Sequence, residues 1–183
     1  MKNYVFIIFV FCFYSSFSLR KLTEKDVVSL KASIENDAVK FKDSLLKVSN
    51  DFTNEYDIEF EVDIYRVSEL SKRKMEIDYS TAGMIKAISE EERDYDMLLN
   101  KYYKILRNKL DNKEKNVLTL SQRNWIKFRD SEKELNSMVY LHSYNNCGGS
   151  IRAVFSIQKI CNITLTRLKE LKAYLDRVTC GGW

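Results

Sequence analysis

Apolar residues recur at Val27, Leu30, Ile34, Ala38, Phe41, Leu45 and Val48, in steps of three and four. That spacing gathers them on one face of a helix. Thr23 followed by Asp26 is a capping-box pattern at its start, and Ser49-Asn50-Asp51 ends it. After a polar, aromatic linker at 52–57, Ile58, Phe60, Val62 and Ile64 alternate with acids as a strand would. Phe60, Ile64, Val67, Leu70 and Met75 also keep helical spacing. A lone strand has no partner in this sequence, so helix is the expected state. Tyr79-Ser80-Thr81-Ala82-Gly83 interrupts the pattern, with Ser80 or Thr81 as a helix cap and Gly83 marking a bend.

Residues 96–130 read as two amphipathic helices joined by a polar turn at Asp111-Asn112-Lys113. Ile85 and Ile88 lead on to Tyr95 and to Leu99, Tyr102, Leu106 and Leu110 of the first arm; the apolar face of the second arm uses Val117, Leu118, Trp125 and Phe128 and continues through Leu135 and Val139. Residues 142–149, His-Ser-Tyr-Asn-Asn-Cys-Gly-Gly, are expected to form a loop. Ser150 then opens a last helix with Ile151, Val154, Phe155, Gln158, Cys161, Leu165, Leu168, Leu171 and Leu175 on its inner face. The expected fold is all-α, an antiparallel helical bundle of four to five helices around one core. The 96–130 hairpin is expected to be the element on which the rest is folded.

Composition agrees: there is no proline, there are five glycines, and 31% of residues are charged. Long helices with few punctuated turns suit such a chain better than a sandwich or barrel. The net charge of +4 is spread along the chain without one basic block, including in Ser71-Lys72-Arg73-Lys74 and Glu90-Glu91-Glu92. That argues for a solvated mixed-charge surface and against a nucleic-acid groove, which clusters basic residues with aromatics.

The N-terminus sets the compartment. Met1-Lys2-Asn3 is a short basic region, 4–14 is an apolar and aromatic run, and Ser16-Phe17-Ser18 places small residues where a signal peptidase reads. Residues 1–18 are therefore expected to be a secretory signal peptide, cleaved before Leu19. The run is shorter than the roughly 20 apolar residues of a membrane span, and bulky Phe11 before Cys12 does not suit a lipobox. The mature protein is expected to be periplasmic or secreted, without stable membrane insertion.

Cys147, Cys161 and Cys180 survive that cleavage. If 150–178 is one helix, Cys161 lies about 16 Å from its start and about 25 Å from its end. A disulfide needs Cα atoms within about 7 Å. Three unpaired thiols are expected. No cysteine or histidine spacing suggests a metal site, and His142 is the only histidine, so neither metal nor cofactor is expected.

The hairpin also predicts which polar residues meet. With a turn near 112, Asp96 faces Arg129, Asn100 faces Trp125 and Tyr103 faces Gln122. A partly buried structural network follows, comprising Asp96, Asn100, Tyr103, Gln122, Trp125, Arg129 and Asp130. In it Asp96 pairs with Arg129, and Asn100 bonds the Trp125 indole or Gln122. The rival reading takes Asp96, Asp130, Glu132 and Glu92 as a hydrolytic acid group, but acids beside arginines on helices are usually structural. A thiol nucleophile fails because His142 lies far along the chain from Cys161. Gly148-Gly149-Ser150 with Arg152 resembles an anion cradle, although a glycine turn feeding a helix accounts for it fully.

Two motifs in the hairpin resemble a known family. The first is D-x-x-L-N-x-x-Y at Asp96, Leu99, Asn100 and Tyr103; the second is Q-R-x-W-I-x-F-R-D from Gln122 to Asp130. Gly148-Gly149-Ser150 follows, then Cys161 and T-x-x-R at Thr164 to Arg167. Together they resemble the lysozyme inhibitor LprI-like domain, an all-helical exported bacterial domain, over roughly residues 75–177. The four cysteines usual in that family are not kept: Tyr79, Ala87 and Lys133 stand at three of the positions and only Cys161 remains.

The resulting division is a signal peptide (1–18), an N-terminal helical extension (19–74), an LprI-like helical domain (75–178) and a tail (179–183). The resemblance implies a non-enzymatic protein that binds a protein partner stoichiometrically, lysozyme or another cell-wall hydrolase. The candidate contact residues are Tyr144, Asn145, Asn146, Gly148 and Gly149, of which Tyr144, Asn145 and Asn146 would imitate sugar contacts in a substrate cleft. The alternative is an envelope structural, stress or immunity protein without lysozyme inhibition.

Overall fold

The computed structural model describes residues 20–49, 55–147 and 149–179, with only the backbone course given for 141–147. The expected signal peptide, Gly148 and the tail from Cys180 lie outside the described residues. Five helices follow in order: α1 (Glu24–Val48), α2 (Glu55–Ile77), α3 (Thr81–Lys109), α4 (Asn112–Cys147) and α5 (Ile151–Thr179). No strand occurs among the described residues, and the segment after Glu55 is helix.

Local chemistry sets the boundaries. The Thr23 hydroxyl accepts from the Asp26 amide while the Asp26 carboxylate accepts from the Thr23 amide at 2.9 Å, closing the capping box of α1. The Ser80 hydroxyl caps α3 by accepting from the Gly83 amide at 3.0 Å. Asp78 buttresses that cap by accepting from the Ser80 hydroxyl. A side chain at Gly83 would collide with the Asp78 carboxyl and carbonyl, so glycine serves close approach inside the first turn of α3, not a bend. Asp111 and Glu114 cap α4 reciprocally, at 2.8 and 2.9 Å.

The chain past residue 141 corrects the sequence reading. The expected 142–149 loop is helical as far as Cys147. No residue from 142 to 147 is a strong helix breaker, and among the described residues that follow, Gly149 takes φ 114° and Ser150 lies in a turn.

Consecutive helices run antiparallel. The closest backbone pairing, however, joins α3 to α5, which therefore run parallel. Leu99, Tyr102 and Leu106 of α3 and Leu168, Leu171 and Leu175 of α5 are all buried within one cluster. The hairpin of α3 and α4 is thus not the centre of the fold. Among the described side chains of α4, only Leu118 and Gln122 are buried. Val117, Phe128, Leu135 and Val139, expected to face the core, are each more than half exposed, as is Phe155 of α5.

Helix α2 closes the other side of the core. Phe60 meets Tyr102 edge-on at 5.0 Å, and the Tyr102 hydroxyl donates to Asp63 at 3.0 Å. Buried Lys172 of α5 donates to Asp57 of α2 and to Asp176. Helix α1 packs on α2 through a second, smaller cluster of Ala38, Ile58 and Val62. Arg66 bonds Glu35, and Arg73 bonds Asp37, on the rim.

Candidate functional site

The motif residues collect where α3, α4 and α5 adjoin. Arg129 donates to Asp96 at 3.0 Å and to its neighbour Asp130 at 3.1 Å. Its guanidinium also lies 5.1 Å from the Trp125 ring centroid, within cation–π range. One turn on, Lys133 bridges to Glu92 at 3.1 Å. These long side chains span the gap between α3 and α4.

Two expected contacts are replaced. Asn100 donates within its own helix, to the Asp96 carbonyl at 2.8 Å and carboxylate at 3.3 Å, not to Trp125 or Gln122. Asn100 is exposed on the outer side of α3, so it steadies Asp96 and does not reach across. Tyr103 lies 3.3 Å from the Thr119 hydroxyl, about one turn from Gln122. Gln122 is turned toward α5, where its side-chain oxygen accepts from Arg167 at 3.1 Å.

Sequence reasoning did not foresee the role of α5. Buried Arg167 donates to Gln122, to the Ser121 hydroxyl at 3.0 Å and to Glu170 at 2.9 Å. Thr164, wholly buried, donates to Glu92 at 2.9 Å. The T-x-x-R spacing carried the signal: positions three apart share a helix face. Thr164 reaches α3 and Arg167 reaches α4. The acids of the hydrolytic reading are thereby engaged: Glu92 with Lys133 and Thr164, Asp96 with Arg129, and Glu132 with Lys159 at 3.1 Å. Among the described residues no group of histidine, cysteine and acidic side chains is placed to hold a metal.

Beside this network, burial pushes the Cys161 thiol up to about 12, with Glu91 and Glu92 adding to the effect. A thiol so shifted is protonated at neutral pH and a poor nucleophile. Burial also raises the Glu91 carboxyl, an effect opposed by the Ser71 and Tyr95 hydroxyls and reinforced by Asp94. Below the unfolded-state value both states hold the proton and folding feels no penalty. As pH rises through the raised folded value, the buried charge costs stability. Glu91→Gln is therefore expected to raise the melting temperature at neutral pH, with a gain that vanishes near about pH 4. Melting curves of both proteins across that range check this; a gain that stays constant with pH contradicts it.

Of the expected partner-contact residues, Gly149 supplies the left-handed turn between α4 and α5. The side chains of Tyr144, Asn145 and Asn146, and all of Gly148, lie outside the described residues. The Ser150 hydroxyl lies 3.1 Å from that of Thr81, tying this end of the hairpin to the start of α3. Next to it, Asn136, Val139, Tyr140, Arg152, Phe155 and Lys159 line a groove of about 240 Å³. A second groove of about 540 Å³ continues along the α4–α5 seam past Phe155, Phe128 and Trp125.

The signature residues thus tie three helices of the bundle together. The family described as Lysozyme inhibitor LprI matches residues 71–171, just over half of the chain, and the chain belongs to that family. The match covers the end of α2, all of α3 and α4, and most of α5. No curated protein and no solved structure matches the chain. No helix among the described residues is long and apolar enough to cross a membrane.

Proposed function

We propose that the protein is an exported inhibitor that binds a lysozyme-type muramidase stoichiometrically. Membership of the lysozyme inhibitor LprI family carries this reading. The signal-peptide pattern of residues 1–18 supports export. The contact surface is the end of the α4–α5 hairpin, residues 144–149, with the apolar groove around Val139 and Phe155 beside it. Exposed apolar anchors with a polar rim suit a protein interface. The chain is mildly basic, so steering toward a basic muramidase is unfavourable. Affinity must then come from shape and apolar contact.

The test is muramidase turnover titrated with the intact protein and with a variant in which 144–149 is a short glycine linker. Inhibition that saturates at a fixed molar ratio and is lost in the variant supports the reading. Equal inhibition by both moves the contact elsewhere. No inhibition by the intact protein overturns it in favour of an envelope structural, stress or immunity role, which the shared positive charge would suit.

A further inference from the structure

A groove of about 680 Å³ lies where the end of α3, the start of α4 and the end of α5 come together. Along α4 it is about 40 Å from residues 144–149. Buried Leu106 and Leu118 form its floor. Half-buried Leu110 and exposed Val117, Tyr174 and Val178 form its walls. Two bases, Lys113 and Arg177, and two acids, Asp111 and Glu114, border it. An apolar concavity with a few polar groups at its edge is built to take one bulky apolar side chain.

The residues that follow α5 select the occupant. That helix ends at Thr179, one residue beyond Val178 of the groove wall, and Cys180-Gly181-Gly182-Trp183 come next. We propose that this segment folds back over the last turn of α5 and seats the Trp183 side chain in the groove. Residues 180–183 span about 14 Å at most, so Trp183 cannot stray far from the wall formed by Val178. Gly181 and Gly182 permit the reversal, because glycine adopts the left-handed backbone that follows a helix without a Cβ penalty. The indole suits the lining. Its apolar body covers Val117, Tyr174 and Val178, its N–H donates to Asp111 or Glu114, and its face receives Arg177. A tether this short keeps the indole at an effective concentration on the order of millimolar. A second copy of the chain, or a separate partner at micromolar concentration, competes poorly for the same groove. The segment thus acts as a strap that pins the start of α4 to the end of α5. It does so beside Leu118, the one buried apolar side chain among those described on α4. The strap does not depend on what the 144–149 end binds.

Tryptophan fluorescence tests it. The chain holds two tryptophans, so Trp125→Phe in the chain from Leu19 onward leaves Trp183 as the single emitter. Its emission is expected to be blue-shifted, with acrylamide quenching at least about threefold weaker than in the urea-unfolded chain. The shielding should not change with protein concentration. Val117→Glu, at an exposed position, places a charge against the indole and should raise quenching at least about twofold. Circular dichroism establishes that the fold persists. With Trp125 retained, Trp183→Ala should lower the melting temperature by about 3–8 °C. Val117→Glu should then lower it further by less than it does in the parent chain, because the two share one contact. Quenching equal to that of the unfolded chain overturns the proposal, as does shielding that Val117→Glu leaves unchanged. Melting shifts that simply add overturn it as well. Shielding that appears only as protein concentration rises assigns the groove to a second copy and equally overturns the strap.

Discussion

Removing residues 20–70 is expected to abolish cooperative folding of the remainder, although the family match begins only at residue 71. Phe60, Ile64 and Val67 of α2 belong to the same core cluster as Tyr102, Leu106 and Leu168. Losing those three contributions and uncovering Tyr102 forfeits on the order of 6–12 kcal/mol. That is comparable to the whole stability of an ordinary domain, about 5–15 kcal/mol. Two polar losses act in the same direction. The Tyr102 hydroxyl loses Asp63, and Lys172 loses Asp57 while keeping Asp176. Thermal unfolding followed by circular dichroism, with dye binding as a probe of exposed core, reads the outcome. Retained helicity with a broad transition and bound dye is expected. A sharp transition close to that of the full chain would show that 71–179 folds alone and that α1 and α2 are an accessory.

How far the sequence discloses this fold depends on whether a contact is local. Helix existence follows from apolar spacing, and 55–77 is helical as the lack of a strand partner suggests. The meeting of Asp96 and Arg129 also follows from local geometry, because a short turn leaves consecutive helices little choice of partner. The α3–α5 pairing is of another kind. Its residues lie some 70 positions apart, as Glu92 and Thr164 do, and periodicity says that a face is apolar without saying what covers it. Hence the apolar stripe of α4 reads from sequence as a core face, yet Leu171 and Leu175 of α5 hold the place beside α3. The helical course of 142–147 escapes notice for a related reason. Serine, tyrosine and asparagine are weak helix formers but not breakers, and only glycine stops the helix.

The same distinction locates the most sensitive polar residue in α5, outside the hairpin. Arg167→Ala is expected to destabilise the protein by about 3–5 kcal/mol. It deprives Gln122, Ser121 and Glu170 of a buried donor at once. Lysine cannot substitute, because three acceptors in different directions need the planar fork of a guanidinium. Arg167→Lys should therefore recover less than half of the loss. The effect should also be confined in space. Few of the described side chains of α4 are buried, so its attachment rests largely on polar contacts: this cluster, Arg129–Asp96, Lys133–Glu92, Glu132–Lys159 and Asn136–Ser156. Amide exchange should accelerate throughout the middle of α4 while α3 and the 168–175 segment of α5 stay protected, since their contacts are apolar and mutual. A double-mutant cycle with Gln122→Ala should give a coupling of about 1–3 kcal/mol. If exchange in α4 is unchanged, or if the two substitutions add without coupling, Arg167 is not what holds α4 in place. Apolar contacts such as Leu118 and Trp125 would then carry it.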